Sequence, residues 1–211
     1  MKKIFLTTFI LVLADQILKV WIKTNMSLGE KIPIFDWFII DFIENNGMAF
    51  GIEFGGLLGK MLLTLFRIIV VLVGIYYLKP IVSARFPNGA LIAVGLIIGG
   101  AIGNIIDSAF YGLIFSDSYY MGPPAQIFPD AGGYAPLLYG QVVDMFSFPL
   151  FTIDLPNWIA IPIPFTENTV LSLLEGGDGK FTFFRPVFNI ADAGISVGIF
   201  MILLFYRKEF S

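Results

Sequence analysis

Hydrophobic residues gather along the chain in four long stretches, and polar and aromatic segments of unequal length separate them. The stretches cover residues 4–22, 61–78, 89–106 and 188–206. Each approaches the length of about 20 apolar residues that an α-helix needs to cross the hydrocarbon core of a bilayer. The pattern predicts four membrane-spanning helices, which we assign to one integral membrane domain over residues 1–211.

Basic residues next to the spans predict how the chain is oriented in the membrane, because cytoplasmic loops carry an excess of lysine and arginine. Such residues precede the first span, connect the second to the third and follow the fourth: Lys2, Lys3, Lys79, Arg85, Arg207 and Lys208. We interpret the first stretch as a retained span, because no small-residue cleavage pattern follows it. Both termini are expected on the cytoplasmic side, and the regions 23–60 and 109–187 on the outer side.

The two outer regions contain short aromatic and apolar runs that are typical of β-strands or of segments lying along a membrane surface. One run covers residues 34–43 and is followed by the turn-forming sequence Asn45-Asn46-Gly47. Another covers residues 146–165. The expected fold is a mainly α membrane protein, a four-transmembrane-helix bundle with a small extracytoplasmic β-rich platform.

The composition supports a membrane protein and limits its chemistry. Apolar residues make up 57% of the chain and charged residues 14%, which is far from the usual balance of a soluble domain. The sequence has no cysteine and no histidine, so thiolate nucleophiles, Ser-His pairs and histidine-rich metal sites are excluded. Proton transfer near neutral pH must then use carboxylates, lysine, serine or tyrosine. A net charge of −3 without a dense basic run argues against nucleic acid as a partner.

Polar residues inside the spans occur in pairs with helical spacing. A charged residue at the centre of a span costs about 2.5–3.5 kcal/mol on insertion scales, so each pair needs an explanation. Three pairs share a helix face: Asp15 with Lys19, Asn104 with Asp107, and Asn189 with Asp192. Given the alternating directions of the spans, all three pairs lie at the outer level. Asp144 approaches that level from the outer region, within the apolar sequence Val142-Val143-Asp144-Met145.

Two other classes of protein also place polar residues inside membrane helices. In a non-catalytic scaffold the pairs only fasten helices, as a salt bridge between Asp15 and Lys19 would. In a small transporter or channel the carboxylates line an ion or proton pathway. Transporters, however, usually place their sites near the bilayer midplane and between repeats, and this sequence shows no internal repeat.

Five short motifs resemble those of the lipoprotein signal peptidase (signal peptidase II) family, and they occur in the family's order. They are Asp15-Gln16 with Lys19, Asn45-Asn46-Gly47-Met48-Ala49-Phe50, Gly99 through Asp107, Val142-Val143-Asp144, and Phe188-Asn189-Ile190-Ala191-Asp192. The resemblance extends along nearly the whole chain. It agrees with the four spans and the outer-side site expected from the sequence pattern.

The resemblance implies which residues act. Asp144 and Asp192 correspond to the family's aspartyl dyad. The positions that correspond to supporting or substrate-binding residues are Asp15, Lys19, Asn45, Gly47, Asn104, Asp107 and Asn189. Neither a metal nor an organic cofactor is implied.

The resemblance also implies a substrate and a location. The family acts on bacterial prolipoproteins with a diacylglyceryl-modified cysteine just after the scissile bond, in the cytoplasmic (inner) membrane. Membrane lipids and globomycin-type peptide inhibitors are further expected partners.

Two departures from the family pattern stand out. The third motif of the family ends in Asp-Arg, whereas this chain has Asp107-Ser108. Arg67 in the second span and Arg185 before the fourth are candidate replacements for the missing cation. The connections on either side of Asp144 are also longer than usual for the family, which predicts an added extracytoplasmic elaboration.

Overall fold

A computed structural model of the chain describes residues 1–46, 56–83, 86–154 and 180–210. The chain divides into two compact units. The first contains Met1–Glu30, Phe42–Met145 and Phe188–Ser211, and the second contains Lys31–Asp41 and Phe146–Val187. The assignment of residues 1–211 to a single domain stays a prediction.

Four long helices belong to the first unit. They are α1 (Lys2–Asn25), α2 (Gly56–Ser83), α3 (Asn88–Ile106) and α5 (Ile190–Met201). A π-helical turn, Asp107–Tyr111, joins α3 to the short helix α4 (Gly112–Ile114). Another π-helical turn, Ile202–Tyr206, continues α5 to the 3-10 turn Arg207–Glu209.

Within the described part of the chain, four helical segments are long and apolar enough to cross a membrane, with mean hydropathies between 1.7 and 2.2. They are Lys2–Asn25, Leu58–Tyr77, Asn88–Ile114 and Ile190–Glu209. The prediction of four spans is thereby confirmed. The last helix begins two residues later than the sequence pattern suggests, because the extended Asn189 caps it with its side chain.

Small residues let α3 pack closely against both α1 and α5. A Cβ atom added to Gly103 would lie 2.7 Å from Asp15 Oδ2 in α1. One added to Gly100 would collide with the backbone carbonyl oxygen of Ala191 in α5. The Gly99 and Gly103 spacing thus allows the close backbone approach that small-xxx-small motifs provide in membranes. It also brings the polar ends of three helices together.

The strands in the described part of the chain form two small sheets, as expected for the β-rich platform. In the larger sheet the strand order is β1 (Lys31–Phe35), β2 (Phe38–Asn45) and β3 (Val142–Ser147). β1 and β2 are antiparallel, with Lys31 opposite Asp41. The second sheet pairs β4 (Phe151–Asp154) with β5 (Lys180–Phe183) in antiparallel fashion.

The long connection between α4 and β3 is attached to the end of α1. Ala125 N–H donates to the Lys23 carbonyl at 3.0 Å, and Met121 N–H donates to the Leu28 carbonyl at 3.0 Å. The buried Lys23 ammonium pairs with Glu44 and lies 4.9 Å from the centre of the Tyr134 ring. These contacts make the connection an ordered part of the first unit.

Candidate active site

The buried side chain of Asn189 links the two aspartates singled out by the sequence. Its amide nitrogen donates to Asp144 Oδ1 at 2.6 Å. Its amide oxygen accepts from the backbone N–H of Asp192 at 2.9 Å, and Asp192 Oδ2 accepts from the backbone N–H of Asn189 at 3.4 Å. This reciprocal arrangement is a capping box at the start of α5. One side chain therefore positions both carboxyl groups.

Asn104 supports Asp192 from α3. Its amide nitrogen donates to Asp192 Oδ1 at 2.7 Å. Its amide oxygen accepts from Asn189 Nδ2 at 3.2 Å and from Lys19 Nζ at 2.9 Å. Asp192 also lies in the first turn of α5, where the partial positive charge of a helix N-terminus stabilises an anion. The surroundings of Asp192 thus stabilise negative charge on its carboxylate.

The ammonium group of Lys19 forms ion pairs with two buried carboxylates, those of Asp15 and Asp107. Its ammonium nitrogen lies 2.9 Å from Asp15 Oδ2 and 2.7 Å from Asp107 Oδ2. All three side chains are shielded from solvent. Asp15 Oδ1 also accepts from the backbone N–H of Ala191 at 2.9 Å, which fixes the start of α5 against α1. The i,i+4 pair expected from the sequence is therefore present and extends to a third residue.

β3 is held next to α5 by hydrogen bonds on either side of Asp144. The N–H of Val143 donates to Asp107 Oδ2 at 3.3 Å. The N–H of Met145 donates to the Phe188 carbonyl at 3.2 Å. The backbone on both sides of Asp144 is thus tied to the polar ends of α3 and α5.

The carboxyl group of Asp144 lies in a dry environment. Only 2% of the residue is exposed, and its neighbours Val142, Val143 and Met145 are buried. Burial, with a further contribution from the charge of Asp192, raises the pKa of Asp144 from the usual 3.8 to about 7. Asp144 therefore keeps its proton to a higher pH than an ordinary aspartate does.

Asn45, at the end of β2, supplies the remaining support for Asp144. Its amide nitrogen donates to Asp144 Oδ2 at 3.2 Å. Gly47, which belongs to the same motif, lies outside the described residues. The structure thus brings together all the predicted site residues that it describes, in one network of hydrogen bonds and ion pairs.

Arg67 in α2 is the candidate replacement cation that lies in the same unit as the dyad. The half-buried guanidinium interacts electrostatically with the carboxylates of Asp192, Asp144 and Asp107. Arg185 belongs to the second unit. Replacement of the arginine of the family's third motif by Arg67 or Arg185 stays a prediction.

Two residues of the network were not among the predicted site positions. Gln16 donates from Nε2 to Asp107 Oδ1 at 2.8 Å, and its Oε1 accepts from the Tyr111 hydroxyl at 3.1 Å. Gln16 lies three residues before Lys19 and shares its helix face, so helical spacing in the sequence could have identified Gln16 as part of the network. Tyr111 gives no such signal, because its role depends on the π-helical turn after α3.

Comparisons with known proteins show similarity to one family along nearly the whole chain. The model of the signal peptidase (SPase) II family matches residues 7–207. The lipoprotein signal peptidase of Porphyromonas gingivalis is 45% identical over 203 residues, which cover 96% of this chain and 81% of the relative. That of Amoebophilus asiaticus is 36% identical over 202 residues, covering 94% of this chain and 75% of the relative.

Solved structures share the fold. A bacterial membrane enzyme superposes with a TM-score of 0.62 at 22% identity, covering 100% of this chain and 91% of the other. A second bacterial membrane enzyme gives a TM-score of 0.59, with 97% and 92% of the chains covered. From the extent of the family match and the identity to these relatives, we conclude that the chain belongs to the signal peptidase II family.

Proposed function

We propose that this protease is an aspartyl endopeptidase, with Asp144 and Asp192 activating the water molecule that cleaves a prolipoprotein signal peptide. Membership of the signal peptidase II family supports cleavage of lipoprotein signal peptides. The observation that carries the two-aspartate assignment is the Asn189 side chain, which contacts Asp144 and Asp192 together.

The two carboxyl groups have environments suited to different tasks. Asp144 is buried and its pKa is raised to about 7, so it holds a proton readily. Asp192 is only half-buried and accepts hydrogen bonds from Asn104 and from the backbone of Asn189. Two nearby carboxyl groups share one proton because both cannot ionise easily. We assign the shared proton to Asp144, whose pKa is raised by burial.

The reaction follows from this distribution of charge. Asp192 removes a proton from water as the water oxygen bonds to the carbonyl carbon of the scissile peptide. Asp144 donates its proton to the carbonyl oxygen as negative charge develops there. When the tetrahedral intermediate collapses, Asp192 gives its proton to the leaving nitrogen as the C–N bond breaks, and Asp144 takes a proton back from a hydroxyl group of the intermediate, which restores the starting protonation of both residues. The new carboxylic acid then passes its proton to the released amine. The products are the signal peptide carboxylate and the mature amino terminus, and no metal or cofactor takes part.

The substrate is a prolipoprotein whose cysteine after the scissile bond carries a diacylglyceryl group. Its signal helix and acyl chains lie in the bilayer, and Asp192 lies at the start of an apolar helix. Substrate can thus reach the site laterally and be held by burial of apolar surface. Membrane lipids contact the same helices, and globomycin-type peptides are expected to compete for this site.

The protein is a multi-pass membrane protein, and we place it in the bacterial inner membrane with both termini in the cytoplasm. Basic residues at both chain ends support this orientation. The dyad then faces the outer side, where translocated prolipoproteins carry their scissile bond.

The test is cleavage of a purified diacylglyceryl-modified prolipoprotein in detergent by wild type, Asp144→Asn and Asp192→Asn. Each substitution keeps the size of the side chain but removes the ability to exchange a proton. We expect kcat to fall by about 10²-fold or more in both variants, the scale of general acid-base catalysis.

Asp130→Asn is the matched control, because Asp130 is an exposed residue of the same unit. It should cleave at the wild-type rate. Equal melting temperatures of the four proteins would show that the losses are chemical. Folded Asp144→Asn or Asp192→Asn protein that still cleaves at the wild-type rate would refute the assignment.

A further inference from the structure

A cavity of about 540 Å³ lies in the first unit, which also contains Asp144 and Asp192. It is lined by residues from the end of β2, from α2 and from the long connection before β3: Asn46, Lys60, Asp117, Tyr134, Ala135, Pro136, Tyr139 and Gln141. Its volume falls within the range of about 300–1,000 Å³ typical of ligand pockets. None of these residues takes part in the proposed chemistry.

The cavity is connected to the dyad through two short stretches of backbone. Asn46 follows Asn45, whose side chain donates to Asp144. Gln141 precedes Asp144 by three residues, which is about 10 Å along an extended strand. Gln141 Nε2 and Lys60 Nζ both donate to Asn46 Oδ1, at 3.3 and 3.0 Å. A polypeptide cleaved at the dyad would therefore reach the cavity within a few residues.

The lining chemistry suits a polypeptide backbone better than an acyl chain or an anionic headgroup. Apolar atoms make up more of its surface than polar ones, and it also presents an amide at Gln141, hydroxyl groups at Tyr134 and Tyr139, and charges of opposite sign at Lys60 and Asp117. This mixture matches the apolar side chains and polar backbone of a polypeptide. The Tyr134 hydroxyl accepts from the Gln141 N–H at 2.6 Å and so keeps its own proton for another acceptor. An acyl chain would match only the apolar part of this lining, and Asp117 would repel an anion.

The position of the cavity indicates which part of the substrate enters it. Residues 115–141 follow the third candidate span and precede β3, so most of the lining lies outside the spanning helices. The signal peptide, by contrast, is apolar and stays among the helices. The chain that leaves the site in the other direction is the mature polypeptide.

We infer that this cavity is a subsite for the first mature residues beyond the lipid-modified cysteine, which bind as an extended polypeptide. The inference rests on the proposed function. It gives the long connection between α4 and β3 a role in substrate affinity, because that connection supplies most of the lining.

The test compares two diacylglyceryl-modified substrates in detergent, a short one that ends one residue after the cysteine and a long one with about six more polar residues. We expect wild type to cleave the long substrate with a KM about 10-fold lower and a similar kcat, as for binding energy shared by ground and transition states. Pro136→Trp places a large ring at the rim of the cavity, and should raise the KM of the long substrate to that of the short one.

Two controls separate filling of the cavity from other effects. Leu137→Trp adds the same ring at the neighbouring exposed position, which does not line the cavity, and should keep the wild-type preference for length. Pro136→Ala removes the proline but leaves the cavity open, and should also keep the preference. The kcat/KM of the short substrate reports the integrity of the dyad in every variant.

Equal KM values for the two substrates in wild type would overturn the inference, as would the same loss of preference in Pro136→Trp and Leu137→Trp. The proposed function would survive both results, because the short substrate would still be cleaved in a manner that depends on Asp144. Failure of wild type to cleave either substrate would instead remove the proposed function, and the inference with it.

Discussion

The ammonium nitrogen of Lys19 lies 2.7 Å from Asp107 Oδ2, and neither side chain has any exposed surface. The same nitrogen contacts Asp15 at 2.9 Å and Asn104 at 2.9 Å. Asn104 in turn donates to Asp192 Oδ1, so Asn104 connects the Lys19 ammonium group to Asp192. This cation therefore both joins α1 to α3 and contributes to the electrostatic field at the dyad.

Removing the Lys19 charge should destabilise the protein severely. Lys19→Met keeps the length of the side chain but leaves two buried carboxylates without their cation, and breaking a buried ion pair typically costs about 3–5 kcal/mol. We expect a large fall in melting temperature in detergent. Lys31→Met is the control, because Lys31 pairs with Asp41 while its own side chain is 62% exposed. A Lys19→Met variant that melts like Lys31→Met would contradict this account.

The role of Asn189 can be separated into capping and support of the dyad. Asn189→Asp keeps an oxygen that can accept from the Asp192 N–H, so the N-cap of α5 is retained. It replaces the donor that lies 2.6 Å from Asp144 Oδ1 by a second carboxyl group. We expect kcat to fall by about 10²-fold, the scale of lost acid-base catalysis. Because the cap is retained, the accompanying fall in melting temperature should come from the added carboxyl group, which is buried among acceptors.

Asn189→Ala provides the contrast for that measurement. It removes both the donor and the cap, and loss of an N-cap costs about 1 kcal/mol. It should therefore lower both kcat and the melting temperature. If Asn189→Asp cleaved at the wild-type rate, the amide would not be needed to position Asp144.

The four spans and the polar pairs within them could be predicted from the sequence because each depends on local spacing, whereas Asp144 and Asn45 were assigned from the family resemblance. Asp15 with Lys19 and Asn189 with Asp192 lie one helical turn apart, so their shared faces follow from helix geometry alone. The chain path of the long connection could not be predicted, because it depends on backbone hydrogen bonds between distant residues such as Ala125 and Lys23. The participation of Tyr111 was likewise hidden, because a π-helical turn changes which residues share a face.

Cleavage should decline as the pH rises through about 7. The pKa of Asp144 is raised to about 7 by burial, and the proposed reaction needs its proton. Above that pH the pair loses the shared proton, and kcat should fall with increasing pH. The measurement is kcat against pH with saturating substrate. A rate that rises through this range would contradict the protonated role of Asp144.

The same pKa predicts how the stability of the fold varies with pH. The unfolded Asp144 loses its proton near pH 3.8 but the folded residue keeps it to about pH 7. The stabilising contribution of the proton is thus complete below pH 3.8 and is lost as the pH rises to 7. Asp144→Asn has no such proton, so the fall in melting temperature of wild type between pH 5 and 8 should be smaller in the variant.

Arg67 should tune the dyad through its charge. Since it interacts with Asp192, Asp144 and Asp107, its removal leaves the carboxylates with less positive charge nearby. Loss of a neighbouring cation raises the pKa of a carboxyl group. Arg67→Gln should therefore move the alkaline decline of cleavage to higher pH, and lower kcat/KM by about 10-fold or more through weaker stabilisation of negative charge.

Arg67→Lys distinguishes charge from packing. It keeps the positive charge and so should restore the alkaline decline towards its wild-type position, whereas a purely structural role of Arg67 would leave that position unchanged in both variants. Arg185→Gln tests the other candidate cation in the same assay. A shift of the pH profile in Arg185→Gln but not in Arg67→Gln would transfer the role to Arg185, and unchanged cleavage in both glutamine variants would show that neither arginine replaces the missing cation.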